Sequence, residues 1–219
     1  MPNLGIHVYE KATAVSIPVV ADVGIPFVVG LAPVQTAAKP AKPNVPVLCT
    51  SWDEAVEKLG FSYDWKKYTL CEFIYSHFQL YGCQPVIFCN VLDPAAMKKT
   101  VEAKPYVVSD HKAVLPFDTI NDKTLVVTIP GAEGAEATTL KADEDYTVLY
   151  DENKGTCIVE LLEDGSAYAA ATITVASTEV APENVGMVDI VSGLGVIDAC
   201  MSMVGIIPDL ICAPGYSHL

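Results

Sequence analysis

The residues best placed to do chemistry lie near the C-terminal end of the sequence. Gly215-Tyr216-Ser217-His218-Leu219 has the outline of a nucleophile elbow, in which a sharp strand-to-helix turn exposes a serine. That turn needs a small residue at its fifth position, where this sequence has Leu219, and no helix follows. Gly193-Leu194-Gly195 supplies two glycines of a phosphate-binding loop, but Asp198 stands at the third glycine position and no clear strand leads into it. The histidines at 7, 77, 111 and 218 are scattered, and His77 falls on the apolar face of a helical pattern, as a core residue does. Asp143-Glu144-Asp145 and Asp151-Glu152 read as solvated turn residues, and their spacing is not that of a calcium loop. The cysteines at 49, 71, 83, 89, 157, 200 and 212 contain no Cys-x-x-Cys pair, and six of the seven lie in apolar runs. They read as reduced, buried thiols with no structural metal. No catalytic residue, cofactor or metal ligand is expected.

Composition narrows the partners. The chain has 219 residues, a formal charge of −14, and lysine at all 13 basic positions, with no arginine. Nucleic-acid binding relies on a basic surface, usually with arginine, so neither DNA nor RNA is an expected partner, and neither is an anionic membrane. A hydrophobic fraction of 51% with 18% charged residues argues for a folded core rather than disorder. The apolar stretches read as too short or too interrupted to span a bilayer, and no basic region followed by an apolar one opens the chain as a signal peptide does.

The elements that position these residues fall into an α/β pattern with an interruption. Ile25-Pro26-Phe27-Val28-Val29-Gly30 reads as a fully buried strand, residues 45–49 as a second and residues 85–91 as a third. Between them, Ser51-Trp52-Asp53-Glu54 and Thr69-Leu70-Cys71-Glu72 are capping boxes, and Gly60 and Gly82 stop the helices they open. From residue 95 the alternation becomes that of antiparallel strands, at 125–129, 146–150, 157–162 and 169–175, with turns between them. After residue 185 the first texture resumes: an apolar helix over 194–204 stopped at Gly205, then a buried strand over 208–213. The expected organisation is an N-terminal arm (1–24), the first part of an α/β core (25–94), an inserted antiparallel β domain (95–185) and a second, truncated part of the core (186–219). In the arm, Gly5-Ile6-His7-Val8-Tyr9-Glu10 alternates as a strand with no turn to supply a partner. An unpaired strand of this kind suits donation to a neighbouring molecule.

In order along the chain, several segments resemble the contractile tail sheath family of phages. Residues Gly5, Ile6, His7, Val8, Tyr9 and Glu10 look like that family's N-terminal arm, with His7 where an apolar residue or tyrosine is commoner. The 25–32 run resembles its first core strand, and Pro46-Val47-Leu48-Cys49-Thr50-Ser51 the strand that leads into its first helix. Residues 142–152 look like the β insertion of the larger members, and residues 208–217 the strand and turn that re-enter the core. The family's C-terminal half has no counterpart in these residues. The resemblance implies a structural subunit, not an enzyme, that forms hexameric rings stacked helically around a tail tube. Its partners are neighbouring sheath subunits, the tube protein and the baseplate. Its place is the virion tail, after synthesis in a bacterial cytoplasm, and contraction drives the tube through a bacterial envelope. The alternative from another class is a hydrolase-like α/β enzyme with an inserted β domain.

Overall fold

Phe27, Val28 and Val29 in one run and Val86, Ile87, Phe88 and Cys89 in another are apolar at successive positions, so each run needs cover on both faces. The computed structural model, which describes residues 24–131 and 136–216, places them at the centre of a four-stranded sheet. Strand β1 (Pro26–Gly30) pairs in parallel with β3 (Val86–Asn90), with Phe27 opposite Ile87 and Val29 opposite Cys89. Strand β2 (Pro46–Cys49) flanks β3 antiparallel, and β11 (Leu210–Cys212) flanks β1 in parallel. Helices α1 (Trp52–Leu59) and α2 (Thr69–Ile74) lie over one face; α3 (Met187–Gly195) and α4 (Cys200–Val204) lie over the other. The pleat shows this division: a Cβ on Gly30 would meet Thr69 and Leu70 of α2, whereas its neighbour Val29 meets Gly193 of α3.

Gly193 has a packing role. A Cβ there would lie 2.5 Å from Val91 Cγ1 and 2.6 Å from Val29 Cγ1, so the missing side chain lets α3 sit directly on the sheet. Gly60 ends α1 at φ 70°, with the Pro33 carbonyl where a Cβ would stand. At the other end of α1, Ser51 Oγ accepts from the Glu54 N–H at 3.2 Å. The Glu54 carboxylate reaches back to Thr50 rather than to Ser51, accepting from its N–H at 2.8 Å and its hydroxyl at 2.9 Å.

The remaining strands form one antiparallel sheet of seven, in the order β7-β6-β10-β4-β5-β9-β8. They are β4 (Lys98–Ser109), β5 (Lys112–Pro116), β6 (Val126–Ile129), β7 (Thr138–Thr139), β8 (Tyr146–Asp151), β9 (Thr156–Leu161) and β10 (Thr172–Val180). In β9, Cys157, Val159 and Leu161 turn inward; Ala113 and Leu115 of β5 and Ile173 and Val175 of β10 do the same, building a second core. The chain is thus a mixed α/β protein with a small, mostly parallel sheet and a large antiparallel one.

Several expectations need correction. Strand β4 was not expected, because Lys98, Lys99, Lys104 and Pro105 break any apolar alternation. It forms because β10 pairs with it along its length, and Pro105 is tolerated because β5 joins its other flank only at Val108 and Ser109. The helix expected over 194–204 starts at Met187, where Asp189 accepts from the Gly186 N–H at 2.8 Å, and a 3₁₀ turn over Val196–Ala199 divides it from α4. Thr69 is not a cap: its hydroxyl accepts from the Leu31 N–H, and Tyr68 occupies the cap position. The α2 pattern continues past Ile74 as a π-helical stretch, Tyr75–Leu80, that ends before Gly82. Strand β11 was expected to be buried; it is an edge strand with Leu210 and Ile211 exposed.

Replacing Gly193 by valine should push α3 off the sheet at a cost of roughly 1–3 kcal/mol, read as a lowered melting temperature. An unchanged transition refutes the packing role. A second expectation concerns pH. The Lys58 ammonium, with help from the Thr50 N–H, holds the Glu54 carboxyl down at about 2, against an ordinary value of 4.5. The folded value is the lower one, so this stabilisation is complete above about pH 4.5 and disappears as pH falls through 2. The pair is partly exposed, so Glu54→Gln should cost less than about 1 kcal/mol at pH 7 and nothing near pH 2. Denaturant titrations of both proteins across that window measure the difference.

Candidate functional site

The six arm residues singled out in the sequence, Gly5, Ile6, His7, Val8, Tyr9 and Glu10, lie outside the described residues. What the described residues bring together is a set of surfaces and one cleft. The α3–α4 layer is apolar on its inner and outer sides alike. Ile190 and Cys200 are buried against the sheet, while Val188 is 80% exposed, and Val191, Met201 and Met203 also face outward. Over Met187–Val204 the helical run has 18 residues and a mean hydropathy of 1.7, long and apolar enough by those measures to cross a bilayer. This corrects the expectation that every apolar stretch is too short or too interrupted. Its inner side packs on β1, β2 and β3, which makes it a layer of the fold. Ile207, Leu210 and Ile211 form a separate exposed apolar group on and just before β11, at the other edge of the sheet from β2.

The cleft, about 500 Å³, lies where the two cores meet and is lined by Lys67 and Tyr68 from the α2 side and by Phe117, Asp118, Glu152 and Lys154 from the β side. Tyr68 donates its hydroxyl to Asp118 Oδ1 at 2.7 Å, and Lys67 Nζ is ion-paired with Oδ2. Gln35 donates to the Tyr68 oxygen at 3.2 Å. Burial, reinforced by the Asp118 charge, pushes the Tyr68 phenol well above its ordinary range, so it stays a donor. Burial also raises the Glu152 carboxyl, with Asp151 adding to the effect. Each carboxylate oxygen of Asp118 is taken by a fixed partner. The arrangement joins two cores; it does not present a free base to a nucleophile.

The other singled-out residues are structural in their surroundings. His77 stacks on Phe73 with ring centres 3.8 Å apart, its Nδ1 lies 3.2 Å from the Phe73 carbonyl, and burial holds its pKa below the ordinary value. His111 stacks on Tyr168 at 3.8 Å, in a hairpin turn where Asp110 and His111 have φ 49° and 62°. Asp145 accepts from the N–H and hydroxyl of Ser166, each at 2.8 Å, and from the Lys141 N–H, which ties two loops together. The described cysteines are free; Cys49, Cys71, Cys89, Cys157 and Cys200 are buried, Cys212 partly so, and Cys83 is exposed. Burial pushes the Cys49, Cys89 and Cys157 thiols up to about 12. Gly193 and Gly195 lie within α3, and Ser217, His218 and Leu219 lie outside the described residues. Sequence reasoning missed the Tyr68–Asp118 bond, whose partners are 50 positions apart, and an aromatic group in which Trp52 meets Phe61 at 4.7 Å and Trp65 meets Tyr75 at 5.6 Å.

Asp118→Ala leaves a buried hydroxyl and a half-buried ammonium without their acceptor and should cost about 1–3 kcal/mol in chemical denaturation. In a Tyr68→Phe background part of that cost should vanish. Strictly additive losses sink the idea that the two act as a unit.

No model of a known protein family matches the chain, and no curated protein matches it.

Proposed function

We propose that the chain is a structural assembly subunit of the contractile tail sheath type, joined to neighbouring copies in hexameric rings around a tail tube. The observation that carries this reading is the outward apolar surface of Val188 and Val191 on α3 and Met201 and Met203 on α4, on a protein of formal charge −14. Exposed apolar area of this kind marks contact surfaces, and strong like charge opposes association by any other route. The free edge of β11 adds a second means of attachment, since it has no neighbouring strand among the described residues opposite β1. Support also comes from the sequence segments that resemble the sheath family, which fall on β1, β2, β8 and β11 in order. On this reading the tube protein and the baseplate are further partners, the virion tail is the location, and the antiparallel sheet is the insertion of the larger family members. The chemistry is mechanical and needs no catalytic residue.

The arm is the element that links copies. A strand over Gly5, Ile6, His7, Val8, Tyr9 and Glu10 added to a neighbour's sheet gains hydrogen bonds of about 0.5–1.5 kcal/mol each, so several together offset the ordering of the arm. Val8→Pro removes a donor and clashes with the pairing. Negative-stain microscopy of the assembled protein should show long striated tubes, and Val8→Pro should abolish them while the melting temperature of the folded body stays put. Normal tubes from the variant refute strand donation, and particles that never form tubes under any condition refute the sheath reading itself.

A further inference from the structure

The outer face of the seven-stranded sheet carries an apolar row. Residues paired in register on neighbouring strands point to the same face. Val114 of β5 is paired with Ile158 of β9, and Ile158 with Leu149 of β8. The ladder that pairs Val108 with Ala113 brings Val107 of β4 beside Val114 at its next step. The sequence neighbours Ala113, Cys157 and Val159 turn inward to the second core, so the row faces away from it. Val107 is 78% exposed, Val114 55% and Leu149 46%, and Ile158 between them is partly exposed. A single exposed valine is ordinary on a strand, but apolar side chains aligned across four adjacent strands form a contiguous patch.

The flank of this row is charged in a definite order. Two positions along each strand, on the same face, stand Ser109, Lys112, Glu160 and Thr147, each in register with the next. Lys112 Nζ lies 3.2 Å from Glu160 Oε1. Across β4, β5, β9 and β8 the flank therefore reads polar, positive, negative, polar. It has no net charge, on a chain whose formal charge is −14. A pattern that changes sign at its midpoint is matched by its own copy after a half turn about an axis parallel to the strands, between β5 and β9. That rotation sets Lys112 over the partner's Glu160 and Glu160 over the partner's Lys112. It also sets Val107 over the partner's Leu149 and Val114 over the partner's Ile158.

We infer that this face is a two-fold docking surface for a second copy of the chain, packed sheet face to sheet face. Two acidic molecules repel on most approaches, and least where the local charge cancels. The apolar row supplies the attraction, and the crossed Lys112 and Glu160 pairs fix the angle of approach. Four strands at their usual spacing span about 14 Å, so the contact is at the small end of specific interfaces and pairs copies reversibly. It uses neither the outward surface of α3 and α4 nor the arm, and it stands or falls apart from the tube-forming reading.

The test uses the full chain carrying Val188→Asp, which charges the helical surface and leaves the sheet face alone. Sedimentation velocity and native mass spectrometry should show single molecules and pairs, with the share of pairs rising with concentration. Adding Lys112→Glu or Glu160→Lys should weaken pairing at least about tenfold, because like charges then meet across the axis. Mixed in equal amounts, the two variants should pair with each other, giving the mass of one copy of each, and more tightly than either pairs alone. Repulsion within each chain is the same in the mixture as apart, so only a contact between molecules is rescued in this way. Val107→Asp, at a site exposed enough to leave the fold intact, should also abolish pairing, with far-ultraviolet circular dichroism unchanged. A chain that stays single at every concentration overturns the inference, whether the row is then bare or covered by another part of the chain. So does a Val107→Asp variant that pairs as its parent does, or a mixture in which the two folded variants fail to pair.

Discussion

Asp118 accepts from Tyr68 and Lys67 where the antiparallel sheet meets the segment that leads into α2. Each of the two cores has its own apolar filling, with Tyr150 packed against both. Their mutual position is set by a short polar and aromatic contact just after β5. Phe117 inserts into the first core, packing against Tyr68 and Tyr150 at 6.2 and 5.8 Å, and Tyr150 donates to the Thr119 carbonyl at 2.7 Å. The backbone completes the contact, with the Val180 N–H donating to the Asp118 carbonyl and the Ala181 N–H to that of Met97. An aspartate here is costly to bury alone and stable when its two oxygens are occupied, which ties the geometry of the join to the presence of all three side chains.

How much of this was legible in the sequence depended on whether local chemistry or distant neighbours decided the matter. Strands β1 and β3 were legible because runs apolar at every position have few stable solutions other than a doubly covered strand. Ser51, Gly60 and Gly205 marked helix ends because capping and left-handed turns are local requirements. The start of α3 was missed because Gly193 and Gly195 look like breakers; the first is there to let the helix touch Val29 and Val91. Strand β4 was missed because its charged face is turned to solvent and its stability comes from β10, more than 60 positions away. Thr69 carried the signature of a cap, yet its hydroxyl is held by the Leu31 backbone just after β1.

The candidate surfaces were the least legible part. That residues 187–204 are apolar was plain, but the sequence does not say which side of the run the sheet covers. Only the register of α3 on β1 and β3 shows that Val188 and Val191 are left outside while Ile190 is buried. The same holds for β11, whose composition is that of an interior strand and whose position is at an edge. Apolar content beyond what one sheet can cover is a property of the assembled fold. In an acidic chain it leaves non-polar contact as the attractive term between like-charged molecules.

Strands β4 and β10 lie side by side from one core to the other. Met97, just before β4, packs on the first core, while Val108 near its end and Ile173 and Val175 of β10 belong with the second. Their pairing runs from Lys98 opposite Val180 to Val107 opposite Thr172, with a bulge between Val175 and Ser177. A load that draws the cores apart along this ribbon is carried by two covalent backbones in parallel, already near full extension at about 3.3 Å per residue, and does not shear the hydrogen bonds between them. Bending is a different matter, because a bulge concentrates twist and curvature at one point. The ribbon is therefore stiff in tension and most strongly twisted near Ala176, while the Asp118 contact fixes the angle between the two cores.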